Sequence, residues 1–240
     1  SSCMQRDALK VADECYADYV NPFIGTDFTG NTYPGAQVPF GMVQLSPDNG
    51  LPGWDRISGY FYPDSTIAGF SHTHLSGTGA GDLYDISFMP VTLPYKEAEE
   101  PLGIHSRFSH ADEAASAGYY RVLLKDYDIN VELTATERCG IQRYTFPQAD
   151  AAVILNLRKA MNWDFTEDSY VEKVDSVTIQ GYRFSDGWAR GQRIFFRTRF
   201  SRPFETMRLD SAAVLKDGKR IGTSVMARFD FKTTKGEQLL

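Results

Sequence analysis

The sequence predicts an all-β protein, an antiparallel sandwich of two packed sheets with only short helices. Several segments alternate apolar and polar side chains with a period of two, the pattern of half-buried strands. Turns containing Gly, Pro, Asn or Asp separate these segments at short intervals. Helical periodicity is confined to Ala8–Tyr16 and, weakly, to His110–Ser116.

The strand with the clearest alternation is Arg193–Phe200, which places Ile194 and Phe196 on one face and Arg197 and Arg199 on the other. Asp217-Gly218 follows the strand-like Ala212–Leu215 and predicts a hairpin. Four further segments alternate in the same way, and a short apolar run predicts a buried central strand: Val177–Phe184, Ile129–Ala135, Ile141–Phe146, Val225–Phe231 and Ala152–Leu157.

Size and composition exclude several classes of protein. The chain has 240 residues, 42% of them hydrophobic, enough for a full core and too many for a disordered protein. Its net charge of -6 argues against non-specific electrostatic binding to nucleic-acid phosphates. No apolar run is long enough for a membrane span. We divide the chain into a polar N-terminal tether, residues 1–18, and one β-sandwich domain, residues 19–240, which we expect to be truncated at its C-terminal edge.

The three cysteines, Cys3, Cys15 and Cys139, form no CxxC pair, so they predict neither a zinc knuckle nor a thioredoxin-like motif. One disulfide is compatible with the count, and three unpaired thiols are equally compatible. Ser1-Ser2-Cys3 is similar to the end of a bacterial lipobox, where the cysteine is acylated after cleavage. The alternative for Cys3 is an ordinary exposed thiol.

The region Asn21–Asp85 holds more than half of the 20 glycines. Glycine at this density indicates loops whose backbone approaches a ligand or another part of the protein closely. Within the region, His72 and His74 are two residues apart and share a face if the segment is extended. They form a candidate transition-metal pair with Asp82 or Asp85 as third ligand, or they donate hydrogen bonds that hold the loop. The spacing favours the second interpretation, and we expect no metal there.

Trp54 follows a Pro-Gly turn and precedes charged residues, which places it in a loop. An exposed indole can stack on the apolar C–H faces of a sugar, or fold back as a lid on the sandwich. We interpret Trp163 and Trp188 as packing aromatics. No pair of carboxylates stands out as the acid and base of a glycosidase.

Several ordered blocks of sequence resemble the N-terminal domain of glycoside hydrolase family 92, a family of calcium-dependent, exo-acting α-mannosidases common in gut Bacteroidetes. The resemblance extends from about Tyr19 to the end of the chain. The blocks that carry it are Tyr19–Thr26, Tyr33–Ala36, Val38–Asp48, Gly53-Trp54, Ser58–Tyr60 and Gly69–Gly79.

The resemblance implies a two-domain enzyme, in which this β-supersandwich packs on a larger C-terminal (α/α)6 barrel. It implies an inverting mechanism in which a glutamic acid protonates the leaving oxygen and an aspartate pair activates water. Calcium binds the mannose that is cleaved. The acid, the base and the calcium ligands belong to the barrel, so we expect no catalytic residue and no metal site in these 240 residues.

The resemblance also implies a sugar-binding role for loops of this domain. Trp54 matches the family tryptophan that contacts the leaving sugar, and Gly35 matches a glycine near the terminal mannose. Asp55, His72 and His74 are further candidate substrate-binding residues. Arg56 and Ile57 replace the residues expected in the best-studied type of member, which leaves open the linkage preference, for which we expect the α-1,2 type.

We therefore expect the N-terminal domain of a secreted or lipid-anchored α-mannosidase, periplasmic or on the cell surface, acting on mannose-containing glycans such as N-glycans or yeast mannan. Its other partner is its own catalytic domain. The alternative is a stand-alone carbohydrate-binding module.

Overall fold

The computed structural model describes residues 15–77, 79–99, 102–158, 163–210, 214–216, 219–222 and 225–240. These residues form 18 strands and three short 3-10 helices, so the all-β class is confirmed. The 3-10 helices cover Tyr16–Tyr19, Trp54–Arg56 and His110–Asp112. The strands are β1 Ser46–Asp48, β2 Thr66–Ile67, β3 Gly69–Ser71, β4 Ser87–Thr92, β5 Ser106–Arg107, β6 Glu113–Ser116, β7 Tyr119–Leu124, β8 Ile129–Ala135, β9 Gly140–Phe146, β10 Ala149–Asn156, β11 Phe165–Lys173, β12 Thr178–Asp186, β13 Gln192–Arg199, β14 Thr206–Leu209, β15 Val214–Lys216, β16 Lys219–Gly222, β17 Met226–Thr233 and β18 Glu237–Leu239.

Antiparallel pairing assembles these strands into more sheets than the two expected. A six-stranded sheet has the order β1-β3-β4-β10-β17-β14, and two five-stranded sheets have the orders β13-β12-β11-β16-β15 and β18-β9-β8-β7-β6. A small fourth sheet pairs β2 with β5. The predicted hairpin is confirmed by the pairing of β15 with β16, although Asp217 and Gly218 themselves lie outside the described residues.

The core lies where apolar faces of the sheets meet. Strand β10 is central in its sheet, between β4 and β17, and Ala151–Leu155 are all buried, as expected for a continuous apolar run. Strand β13 keeps the predicted alternation, with Arg193, Phe195, Arg197 and Arg199 outward. Strand β12 also alternates, and its buried face includes Arg183.

The helix expected at His110–Ser116 is wrong. His110–Asp112 form one turn of 3-10 helix, whose first amides include that of Ala111 donating to the Ser109 hydroxyl. Glu113–Ser116 then run as β6 along β7. Pairing with a long neighbouring strand outweighs the weak local preference for helix. The other expected helix, Ala8–Tyr16, lies almost wholly outside the described residues.

The chain between β3 and β4 leaves the six-stranded sheet and returns to it. On the way it contacts the residue after the Trp54 helix, the residue before β11 and the loop after β12. Leu83, Tyr84 and Ile86 have φ of 85°, 64° and 55°, so three non-glycine residues in this short stretch are left-handed. Such backbone persists only where surrounding contacts hold it. The contacts that hold it are those of the site described next.

Candidate functional site

The candidate site is centred on Trp54, at the first position of its 3-10 helix. Its side chain is 56% exposed, and its ring is stacked against that of Trp163, with centroids 6.3 Å apart and planes inclined by 28°. A Cβ added at Gly79 would lie 3.1 Å from the far edge of the Trp54 indole, so a larger residue there would press on the ring. Trp54 is therefore an ordered ring with an open surface.

All three tryptophans of the protein are associated with this end of the sheets. Trp163 is 42% exposed and Trp188 is 80% exposed, so the interpretation of Trp188 as a packing aromatic is wrong. The backbone N–H groups of Trp188 and Ala189 donate to the carboxylate of Asp82 over 3.0 and 2.7 Å. Asp82 thus ties the loop after β12 to the chain that precedes β4.

Beneath the tryptophans lies a buried ionic cluster around Arg183. Its guanidinium Nη1 is 2.7 Å from Asp85 Oδ1 and 3.3 Å from Asp164 Oδ2, and Nε donates to the Thr166 hydroxyl over 2.9 Å. The charged side chains are fully buried. Asp164 also accepts from the Leu83 amide over 3.0 Å, while burial raises its pKa to about 6 against the lowering effect of Arg183. These bonds hold Leu83 and Asp85 against Asp164 and against Arg183 of β12.

Tyr84 adds to these contacts. It is fully buried, and its hydroxyl donates to the carbonyl of Ile57, the residue that follows the Trp54 helix. Thr73 adds a hydrogen bond of 2.6 Å to the second oxygen of Asp85. The orientation of Trp54 is therefore coupled, through one short segment, to the buried charges of the sheet.

The structure separates the functions of His72 and His74. His74 is buried; its Nδ1 donates to the Gln44 carbonyl over 2.7 Å, and its Nε2 lies 2.8 Å from Asp48 Oδ1 and 3.1 Å from the Ser71 hydroxyl. Both ring nitrogens are therefore engaged by protein groups. The ring anchors the loop to β1, which is the hydrogen-bonding interpretation of the motif.

The imidazole of His72 has other partners than that of His74 at both ring nitrogens. Its Nδ1 donates to the Ile86 carbonyl over 2.7 Å, and its Nε2 is 3.5 Å from the amide nitrogen of Gln142. It lines a cavity of about 430 Å³ between β9 and β13. Burial lowers the pKa of His72 to about 4, so the ring is neutral near pH 7.

Gly35 and Asp55 occupy different settings. A Cβ at Gly35 would lie 2.2 Å from the Leu45 carbonyl oxygen and 2.4 Å from the Ser46 Cβ, so close packing on the chain at β1 requires glycine there. Asp55 is partly exposed in the Trp54 helix, beside Arg56, which forms a two-pronged ion pair with Asp64 at 2.6 Å for each bond. Of the predicted site residues, only Asp55 therefore adjoins Trp54.

The part of the chain that the structure describes contains no group of three or more His, Cys, Asp or Glu side chains placed to hold a metal ion. Asp85 and Asp82, the third ligands considered above, are committed to Arg183 and to backbone amides. Cys15 and Cys139 are free and exposed, and Cys3 lies outside the described residues. Within the described ranges no helix has the length and apolarity to span a membrane.

The residues that sequence reasoning missed are Arg183, Asp164 and the exposed pair formed by Trp163 with Trp54. A signal for Arg183 was available, because the alternation of Val177–Phe184 puts it on the same face as Ile179, the face expected to be buried. A charged residue on a buried face requires a partner of opposite charge. Nothing in the sequence indicated that Asp85 and Asp164 supply it.

An antiparallel β-sandwich domain with an exposed, stacked indole at one end presents the kind of flat apolar surface on which sugars stack. Residues 19–240 match the glycosyl hydrolase family 92 N-terminal domain, and the chain belongs to this family.

The fold is that of solved enzymes of the family. A family GH92 α-mannosidase from Bacteroides thetaiotaomicron, solved with mannoimidazole, is 38% identical and superposes over 94% of this chain with a TM-score of 0.85. A family GH92 inverting mannosidase from the same organism is 27% identical over 93% of this chain, with a TM-score of 0.74. The chain spans 32% and 30% of the lengths of these two proteins.

A curated relative from the fungus Arthroderma benhamiae, described as an uncharacterized secreted glycosidase, is 29% identical over 143 residues. The match includes 55% of this chain and 18% of that protein.

Proposed function

We propose that this chain is the N-terminal β-sandwich domain of a secreted, exo-acting, inverting α-mannosidase of α-1,2 type, and that it lines part of the active-site pocket. The support is its family membership and its likeness to two solved mannosidases, of which one is described as inverting and the other was solved with mannoimidazole. Because the chain spans about a third of these enzymes, it would act together with a C-terminal catalytic domain.

The observation that carries the proposal is the exposed, ordered ring of Trp54. A flat indole surface complements the C–H face of a pyranose, and a ring held in place loses little entropy when the sugar binds. Trp163 and Gly79 hold the ring, while Asp55 offers a carboxylate beside it for sugar hydroxyls. Trp54 would then contact the sugar that leaves when the terminal mannose is released.

Catalysis itself would come from the other domain. Inversion requires a general acid and a general base on opposite sides of the bond, and calcium when bound would supply positive charge to the mannose hydroxyls. The part of this domain is to bind and orient the substrate and to exclude water from one side of the pocket.

Several large apolar side chains are exposed on the described part of the domain, which fits a surface covered by a second domain. Phe40 is 107% exposed and Phe28 is 80% exposed, with positive φ at both residues. A stand-alone carbohydrate-binding module is less favoured, since the matching family is the N-terminal part of larger glycosidases. Secretion is supported by the description of the fungal relative, and lipid attachment at Cys3 stays part of the proposal.

The test is the kinetics of Trp54→Ala in the complete enzyme, with an α-1,2-mannobiose and an aryl mannoside as substrates. Loss of a stacking ring of this size is expected to cost about 1–3 kcal/mol on the disaccharide, roughly tenfold to hundredfold in kcat/KM. The aryl mannoside, which has no sugar at that position, should lose less. Equal losses on both substrates together with a lowered Tm would mean that Trp54 only holds the fold.

A further inference from the structure

Trp163 contacts Trp54 and lies outside the sequence blocks that carry the family resemblance. The two indoles are stacked, with centroids 6.3 Å apart and planes inclined by 28°. The contact covers only part of each ring, and 42% of Trp163 and 56% of Trp54 stay exposed. The exposed parts of the two neighbouring rings together offer more apolar surface than one indole.

The backbone at Trp163 is held from below. The next residue, Asp164, is buried, and its Oδ2 accepts from the Leu83 amide over 3.0 Å and from Arg183 over 3.3 and 3.4 Å. The contacts of Asp164 therefore hold the backbone from which the Trp163 ring projects, which lowers the entropy that sugar binding must remove.

We propose that Trp163 is a second sugar-contact residue, which extends the surface of Trp54 to the next sugar of the glycan. This inference rests on the proposed function. Trp54 contacts the sugar released with the reducing end, and Trp163 contacts the unit beyond it. The ligand class is therefore a linear manno-oligosaccharide of three or more units, and Trp163 makes the enzyme prefer these over a disaccharide.

The exposure of Trp163 separates this proposal from a purely supporting role. A ring that only supports its neighbour is most stabilising when its own apolar surface is buried. Trp163 instead leaves 42% of its surface exposed to solvent, where a sugar can contact it. Trp188 is a matched control: it is a tryptophan at the same end of the sheets, 80% exposed, with no ring contact recorded among the described residues.

The experiment measures kcat/KM of the complete enzyme on an aryl mannoside, mannobiose and mannotriose. The variants are Trp163→Ala, Trp163→Phe, Trp54→Ala and the control Trp188→Ala, each with its Tm. For Trp163→Ala we expect a loss of about threefold to tenfold on mannotriose, mainly through KM. Mannobiose should lose less, through the contact of Trp163 with Trp54 alone, and the aryl mannoside should lose less than about twofold. Trp163→Phe should recover most of the loss, and Trp188→Ala should change no substrate selectively.

The outcomes distinguish this inference from the proposed function. Equal losses for Trp163→Ala on mannobiose and mannotriose would show that Trp163 only orients Trp54, and no loss on mannotriose would show that it does not contact sugar; both overturn the inference. If Trp54→Ala is selective on mannobiose in the same experiment, the proposed function stands in either case. If Trp54→Ala is silent on every substrate, the proposed function fails and the inference with it.

Discussion

Replacement of Arg183 by methionine tests whether the buried ionic cluster holds the tryptophan-bearing end of the domain. Met keeps much of the apolar length of the side chain and removes the charge. The variant loses the bonds of Arg183 to Asp85, Asp164 and Thr166. Two carboxylates then stay in a fully buried site that has lost its cation.

The magnitude follows from the burial of all three charges. Removal of one partner from a buried ion pair typically costs about 3–5 kcal/mol, because the remaining charge is neither solvated nor paired. Domains are commonly stable by about 5–15 kcal/mol, so the variant should fold with a much reduced free energy of unfolding. Arg183→Lys should recover only part of the loss, since one ammonium cannot reproduce the fork that reaches Thr166 and both carboxylates.

The pH dependence gives this prediction its sharpest form. Burial already raises the pKa of Asp164 to about 6 while Arg183 opposes the rise, so removal of Arg183 raises this pKa further. A carboxyl whose folded pKa is raised favours folding at low pH, and its contribution is lost as the pH rises through that pKa. The deficit of Arg183→Met should therefore grow by about 1 kcal/mol per pH unit between about pH 6 and 7.5.

The assay is urea unfolding of the parent and variant chains, followed by tryptophan fluorescence at pH 5.5, 6.5 and 7.5. The double variant Arg183→Met with Asp164→Asn is the control, because it removes one of the orphaned charges and should be less sensitive to pH. A loss below about 1 kcal/mol at every pH would contradict the reasoning, since exposed pairs have values of that size. A deficit independent of pH would contradict the assignment to Asp164.

Three further outcomes are expected. Burial lowers the pKa of His72 from 6.5 to about 4, so the unfolded chain takes up a proton before the folded chain does. The free energy of unfolding should therefore fall by up to about 3 kcal/mol as the pH drops from 6.5 towards 4. Denaturant titrations of His72→Asn should lack this loss, and an acid sensitivity equal to that of the parent would refute the assignment to His72. Gly35→Ala should cost about 1–3 kcal/mol, because its Cβ would meet the backbone at Leu45 and Ser46, and an unchanged Tm would show that the chain can yield there. The purified 240-residue chain should release no mannose from aryl or natural mannosides with calcium present, since the proposed acid and base lie in the other domain; calcium-dependent turnover, lost in a Trp54→Ala variant of the same chain, would contradict this.

The elements that the sequence predicted are those with a strong local pattern. Strand β8 begins and ends at the expected residues, and β9, β12, β13 and β17 differ from expectation by one or two residues at their ends. The loop position predicted for Trp54 agrees with the exposure of its ring. These properties follow from side-chain alternation and from turn residues, which act within a few positions along the chain.

Local sequence failed where long-range pairing decided the structure. Glu113–Ser116 has a weak helical pattern, yet its amides pair with β7 as β6, and the Glu113 carboxylate is buried under hydrogen bonds from Tyr60 and Tyr120. Similarly, His72 and His74 are alike in sequence, but one lines a cavity and the other binds Asp48. Such outcomes depend on residues far away in the chain.

The amino-acid sequence by itself determined the all-β class, most strand positions, the family resemblance and the loop character of Trp54. Only the tertiary structure brought Trp163 against Trp54, a contact between residues 54 and 163, and placed Arg183 between Asp85 and Asp164. The physical reason is that periodicity specifies which face of a strand is buried, whereas the partner on that face is specified by sheet order and by loops that cross between sheets. The candidate site is built on such loops. The buried charge of Arg183 is stable there because the fold places Asp85 and Asp164 beside it.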